Sequence, residues 1–167
     1  MQIPVDSLIF DFPTGWIVTK YDDWKFCGQF QKMKKGIKGI DLIAISPNKT
    51  IWLIEAKDFR QHRRTKKTPL HDEIWQKVYD TLASILPAKV NAIETAECDF
   101  AKIILAGSSL RIAFQCEQPS RHSRLFPRSV DEADLQQKLR KMLKPIDPHP
   151  LVINRNRTHT AVEWTVQ

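Results

Sequence analysis

The sequence predicts an α/β (α+β) fold, a mixed central β-sheet flanked by helices, and three observations carry that prediction. Ile40 to Ile45 and Thr50 to Lys57 are largely apolar runs joined by the turn-forming cluster Ser46-Pro47-Asn48-Lys49, which predicts a β-hairpin. Beyond it, Ile74, Val78, Leu82 and Ile85 recur at helical spacing. Leu110, Ile112, Phe114 and Cys116 then alternate with Arg111, Ala113, Gln115 and Glu117, the pattern of a half-buried strand.

Along the chain, Trp16 to Tyr21 follows the turn Pro13-Thr14-Gly15 and is rich in β-branched and aromatic residues, so it reads as a strand. Asp22 to Lys35 fits either a short helix or a strand through Trp24, Phe26 and Phe30. In the helix over 70–86, Thr68 is placed to cap, Pro69 suits the first position, and Asp72 and Glu73 sit at the positive end of the dipole. Trp75, Tyr79 and Leu86 lie beside its apolar stripe, and Trp52 and Trp75 are expected in the core. Pro87 should end or kink it, with more helix over 88–106. Ser129 with Glu132 forms a capping-box pattern for a last helix carrying Leu135, Leu139, Met142 and Leu143, which Pro145 stops. Leu151 to Asn154 and Thr160 to Val166 read as short strands. The whole is expected to be one domain over 1–167, its core within about 1–117 and its C-terminal helix and strands within 118–167.

Composition narrows the function. With 42% apolar and 27% charged residues, wholesale disorder is excluded, and no apolar run approaches the roughly 20 residues of a membrane span. Met1 to Asp6 has neither a basic lead nor a long apolar stretch, so a secretory signal is not expected. Cys27, Cys98 and Cys116 show no C-x-x-C spacing, which suits reduced thiols in a cytoplasm rather than structural zinc. Twenty-six lysines and arginines against 19 acids leave a net charge of +7, an excess that attracts polyanions such as nucleic acid.

The chemistry concentrates in the predicted hairpin, where Asp41, Glu55 and Lys57 interrupt otherwise apolar strands. Ionised groups in such a setting must pair or bind a metal. Successive strand residues point to opposite faces, so Glu55 and Lys57 share one while Ala56 turns away. A three-residue loop, Pro47-Asn48-Lys49, would set Asp41 opposite Glu55, with about 5 Å between their β-carbons. A two-residue loop would set Asp41 against Ile54 and send the carboxylates to opposite faces. In the first register, two carboxylates form an oxygen-rich cage for a hard cation such as Mg2+, with Mn2+ able to substitute. A lysine beside them can orient water and steady phosphate charge. The competing reading is an ion pair that serves structure alone.

Asp41, thirteen intervening residues, and Glu55-Ala56-Lys57 at the end of an apolar strand resemble the core motif of the PD-(D/E)xK nuclease superfamily, with its restriction-endonuclease-like fold. Strand 16–21, hairpin 39–57, helix 70–86 and strand 110–117 match that family's order of meander, crossover helix and further strand. The resemblance implies that Asp41 and Glu55 ligate a metal, that Ala56 offers its backbone carbonyl, and that Lys57 positions or activates the water. Ile40 stands where the family's name has proline. The family also places an acid on a helix before the first strand. Here Met1 to Phe12 offers only Asp6 and Asp11, with Asp22 and Asp23 as alternatives beyond the strand. Gln76 and Tyr79 are three residues apart, where some subfamilies carry a glutamine and a tyrosine four apart, so Gln76 is a further accessory candidate.

Two basic runs flank this hairpin. Arg60, Arg63, Arg64, Lys66 and Lys67 crowd the loop that leaves Lys57, with His62 among them, and Lys32, Lys34, Lys35 and Lys38 precede Asp41. Together they predict a phosphate-binding rim that supplies affinity without base readout. The basic end of the last helix (Lys138, Arg140, Lys141, Lys144) is explained by its dipole, and Arg121, Arg124 and Arg128 fall in a loop. The expectation is therefore a cytoplasmic, Mg2+-dependent endodeoxyribonuclease acting on DNA, alone, as a homodimer or with a partner protein. The alternatives are a degenerate nucleic-acid-binding module and a subunit of a larger nuclease or defence complex.

Overall fold

A computed structural model describes residues 1–61, 64–119 and 130–167. Arg63 of the expected rim, and His62, Arg121, Arg124, Arg128 and the expected cap Ser129, lie outside the described residues. The described residues form an α+β fold of four helices and eight strands in two sheets. In chain order the elements are β1 (Gln2–Val5), β2 (Leu8–Asp11), β3 (Ile17–Lys20), α1 (Lys25–Gln31), β4 (Leu42–Ile45), β5 (Thr50–Asp58), α2 (Leu70–Asn91), α3 (Thr95–Leu105), β6 (Ser109–Glu117), α4 (Glu132–Leu143), β7 (Leu151–Ile153) and β8 (Thr165–Val166).

The main sheet runs β3-β4-β5-β6-β7. Its first three strands are an antiparallel meander, and β6 and β7 are parallel to β5. A parallel neighbour requires a crossover, and α2 and α3 supply it between β5 and β6. Both faces of the sheet are covered. Ile43, Ile45, Leu53, Ile112 and Phe114 pack toward the helices. Leu42, Ala44, Trp52, Ile54 and Ala113 pack on the opposite side with Phe10, Phe12 and Trp164 from the β1-β2-β8 region.

That second cover corrects the reading of 110–117 as half-buried: Ala113, Gln115 and Glu117 are buried with their alternating neighbours. Gln115 donates to Glu117 Oε1 at 2.7 Å, and the same oxygen accepts from the Arg155 amide at 2.9 Å, so the polar residues of that face are satisfied internally. The first twelve residues form a hairpin, and the one helix near the first meander strand is α1, which follows it.

Helix α2 also departs from expectation at both ends. Pro69 stands at its N-cap, with no side-chain cap, and the Thr68 carbonyl accepts from Arg64. The helix runs through Pro87 to Asn91. The carbonyl orphaned by Pro87 belongs to Ala83, an exposed residue that water can reach, while Ile85 and Ala88 stay buried and hold the turn together. Asp131 caps α4, accepting from the Ala133 and Asp134 amides.

Candidate active site

The hairpin register decides whether a site exists. Leu42 pairs with Ile54, Ile43 with Leu53, Ala44 with Trp52 and Ile45 with Ile51, which is the three-residue-loop register. Ser46 N–H donates to the Thr50 carbonyl at 3.1 Å and closes the loop, where Lys49 takes the left-handed conformation at φ 62°. Carried one position further, the same register sets Asp41 against Glu55. The Ala56 amide donates to Asp41 Oδ2 at 2.8 Å, and the Tyr21 amide donates to the Asp41 carbonyl at 3.0 Å. In an extended strand N–H and C=O leave by the same edge, so the Ala56 carbonyl also lies on the Asp41 side.

The approach to Asp41 is fixed by α2. Asp80 accepts from the Lys38 amide at 2.9 Å, and Thr81 Oγ1 accepts from the Ile40 amide at 3.0 Å. Tyr21 and Ser84 share a hydrogen bond beneath them. A β-carbon at Gly39 would come within 2.9 Å of Cys27 Sγ and 3.1 Å of the Tyr21 ring, so only glycine lets the chain pass there.

Asp41, Glu55 and Lys57 come together as the hairpin predicts, and α2 adds a fourth member. Lys57 Nζ lies 2.9 Å from Glu55 Oε1 and 3.6 Å from Asp41 Oδ2. Lys77 Nζ lies 2.7 Å from both Glu55 oxygens and 2.9 Å from Asp41 Oδ1, bridging the two carboxylates. Glu55 is 1% exposed. Burial first, then the Asp41 charge, push its carboxyl up to about 7 against the pull of the lysines. Burial would lower both ammoniums, but Glu55 and Asp41 outweigh it and hold Lys57 and Lys77 above the usual range.

Among the accessory candidates, Asp22 lies within electrostatic reach of this cluster. Burial and then the charges of Asp41 and Asp23 raise its carboxyl. Asp23 is exposed and pairs with Lys20 at 3.2 Å. Gln76 donates to the Gly36 carbonyl at 2.6 Å, latching the lysine-rich loop to α2 rather than joining the carboxylates. Asp6, in the β1–β2 turn, is close enough to help raise Lys57.

Part of the predicted rim is engaged in internal pairs. Arg60 forms a two-pronged contact with Asp58 at 2.9 and 2.6 Å. Arg64 and Lys66 clamp buried Glu73 at 2.8 and 2.5 Å, with Lys38 at 3.8 Å. Burial alone would raise Glu73, but the hydrogen bonds from Lys66 and Arg64 hold it at about 2. Lys34, Lys35 and Lys67 are exposed. Trp52 is buried as expected, whereas Trp75 is exposed and stacks on Tyr79 with ring centroids 5.4 Å apart.

Hydrophobic spacing does not reveal Lys77, because the buried face of α2 that Ile74, Val78 and Ile85 mark also carries Glu73, Thr81 and Ser84, beside Ala88. A lysine one turn from Glu73 and Thr81 on that stripe was the available signal. No group of three or more His, Cys, Asp or Glu side chains among the described residues is placed to hold a metal ion. The donors present are nevertheless all hard oxygens. Two carboxylates converging on one cationic point suit Mg2+, which keeps several waters, provided that the Lys77 ammonium yields that point.

Fold and site together define an α+β chain with two acids and two lysines gathered where the central strand β5 meets its crossover helix. No family model matches the sequence, and no solved structure matches it. A cysteine–tRNA ligase from Neisseria meningitidis serogroup A is 33% identical over 159 residues. That match takes in 77% of this chain and 23% of the ligase, so this chain spans about a quarter of the relative's length. No helix among the described residues is long and apolar enough to cross a membrane.

Proposed function

We propose that the chain is a metal-dependent nuclease of the PD-(D/E)xK type that hydrolyses phosphodiester bonds in DNA, in the cytoplasm. One observation carries the reading: Asp41 and Glu55 face each other across β4 and β5 and share a single cationic point, with Lys57 2.9 Å from Glu55. Asp41, Glu55 and the Ala56 carbonyl would hold Mg2+ or Mn2+, and Asp22 is the nearby further acid. A bound divalent ion supplies Lewis acidity toward a phosphate and toward water. Lys57 orients the attacking water and steadies the developing negative charge. Lys77 offers a second cation to the phosphate once a divalent ion takes its place between the acids. Exposed Lys34, Lys35 and Lys67 supply affinity for the backbone rather than base readout. The free cysteines Cys27, Cys98 and Cys116 accord with a reducing compartment.

The test is incubation of supercoiled plasmid, single-stranded DNA and tRNA with purified protein and Mg2+ or Mn2+. The tRNA arm is included because the similar ligase is named for tRNA. Metal-dependent nicking or cleavage of the plasmid is expected. Glu55→Ala and Lys57→Ala should each abolish it while leaving thermal unfolding nearly unchanged. Full activity in both variants would overturn the assignment.

A second reading has its own observation. With Lys57 and Lys77 both engaged, two positive charges balance two negative ones, as in a closed structural cluster. A nucleic-acid-binding module that no longer cleaves, or a subunit of a larger nuclease assembly, would have such a cluster. Its signature is salt-dependent binding with no metal-dependent product.

A further inference from the structure

Helix α2 carries two apolar stripes; one lies in the core, and among the described residues the other touches it only through half-buried Leu82. The other comprises Trp75, Tyr79, Leu82, Leu86 and Val90, spaced four, three, four and four residues apart. At 100° per residue these fall within a sector about 80° wide. Trp75 is 37% exposed, Tyr79 56%, Leu86 60% and Val90 70%, and Ile93, just past the helix, is 80% exposed. Beside Leu82 opens a groove of about 370 Å3 lined also by Ile51, Ile104, Leu105 and Leu110. Single exposed apolar residues need no explanation, whereas an unbroken seam over four turns of one helix does.

We propose that this face of α2 is the interface of a two-fold symmetric dimer, packed antiparallel against α2 of a second copy. The spacing alternates in steps of three and four, which lets one helix interdigitate with another. The stripe is nearly centred on Leu82, so a two-fold axis there lays each half on the opposite half of the other copy, as an isologous interface requires. Charge agrees with that polarity. Asp72 lies near the N-terminal end of the stripe and Lys89 near the C-terminal end, so antiparallel packing brings opposite charges together and parallel packing brings like charges together. The stripe with the groove rim offers on the order of 600–800 Å2 per copy, close to the roughly 800 Å2 that each partner buries in a standard interface. Lys77, on the inward face, is not used, so this inference stands apart from the nuclease reading.

Sedimentation equilibrium of the full chain tests it. The wild type should be dimeric at micromolar concentration. Leu86→Glu, near the axis, should weaken the dimer roughly 100-fold and Val90→Glu, at the end of the seam, roughly tenfold, with circular dichroism and melting unchanged. Crosslinking fixes the geometry without relying on those variants. Leu82→Cys should form a covalent homodimer on mild oxidation. Trp75→Cys should do so only when mixed with Val90→Cys. A wild type that stays monomeric at 100-fold higher concentration, or a dimer indifferent to both glutamates, would overturn the proposal. So would self-crosslinking through Trp75→Cys alone, which signals parallel packing. A monomer that quenches its Trp75 fluorescence on adding DNA or tRNA would assign the stripe to nucleic acid instead.

Discussion

Glu55 and Glu73 each have a side chain 2% exposed and held by basic residues, yet Glu55 lies deeper in the protein and the two are driven in opposite directions. Glu73 stands alone among Arg64, Lys66 and Lys38, and its carboxyl is held at about 2. Glu55 shares Lys57 and Lys77 with a second buried acid, Asp41, and its carboxyl is pushed up to about 7. One is a completed ion cluster that fastens the loop before α2 onto the helix. The other crowds two carboxylates together against two ammoniums, and like charges held close in a buried place are the condition that a cation or a proton relieves. Strongly perturbed groups mark functional sites only when a structural role does not already account for them. Glu73 has such an account; at Glu55 a structural cluster and a metal point are competing readings, and substitution separates them.

The same substitution at both positions gives the widest contrast. Glu73→Gln should cost about 2–3 kcal/mol at pH 7, since it removes an acid whose ionisation the fold favours by more than two pH units. Because the folded state lowers this carboxyl, its contribution is fully present above pH 4.5 and fades as pH falls toward 2. The gap between variant and wild type should close over that window in urea titrations. Glu55→Gln removes a charge that burial disfavours, and should leave stability at pH 8 within about 1 kcal/mol of wild type or above it. Equal losses at the two positions would make both clusters structural and break the distinction.

A smaller effect separates the cation points. Lys77→Met leaves Asp41 and Glu55 facing a vacated position, so Mn2+ should raise its melting temperature by roughly 2–4 °C more than it raises that of the wild type. Adding Lys57→Ala should not restore the wild-type response, since Lys77, 2.9 Å from Asp41 and 2.7 Å from Glu55, is the closer bridge between the acids. Glu73→Gln should respond to Mn2+ as the wild type does. An unchanged response in Lys77→Met would mean that the two carboxylates do not share a metal point.

These contrasts also show how far the residues alone carry. The apolar runs Ile40 to Ile45 and Thr50 to Lys57, with the turn cluster between them, were enough for the hairpin, because both strands are apolar on both faces and the acids stand out against them. The register followed from a loop whose sequence leaves two lengths open. Lys77 and the Glu73 cluster were not legible, because the inward face of α2 mixes Glu73, Thr81 and Ser84 with Ile74, Val78 and Ile85, and hydrophobic spacing picks out only the apolar members. The inward polar groups are there to hold backbone: Asp80 and Thr81 bind the amides of Lys38 and Ile40. Part of the rim is turned inward for a related reason. A run of basic residues looks alike whether it meets solvent or a buried acid contributed from another element, and Arg64 and Lys66 meet Glu73.

The finest test concerns the joint that sets the register. Lys49 occupies the left-handed region at φ 62°, the position a three-residue hairpin loop reserves for glycine. Its backbone carbonyl accepts from the Ser108 amide at 2.9 Å, a contact that any residue preserves. Lys49→Gly removes the steric cost of that conformation but gives the unfolded chain more freedom, so the two terms nearly offset. A net gain of about 0.5 kcal/mol is expected, seen as a rise of 1–2 °C in melting with activity unchanged. A loss of stability would mean that the lysine side chain, rather than the loop backbone, holds Asp41 against Glu55.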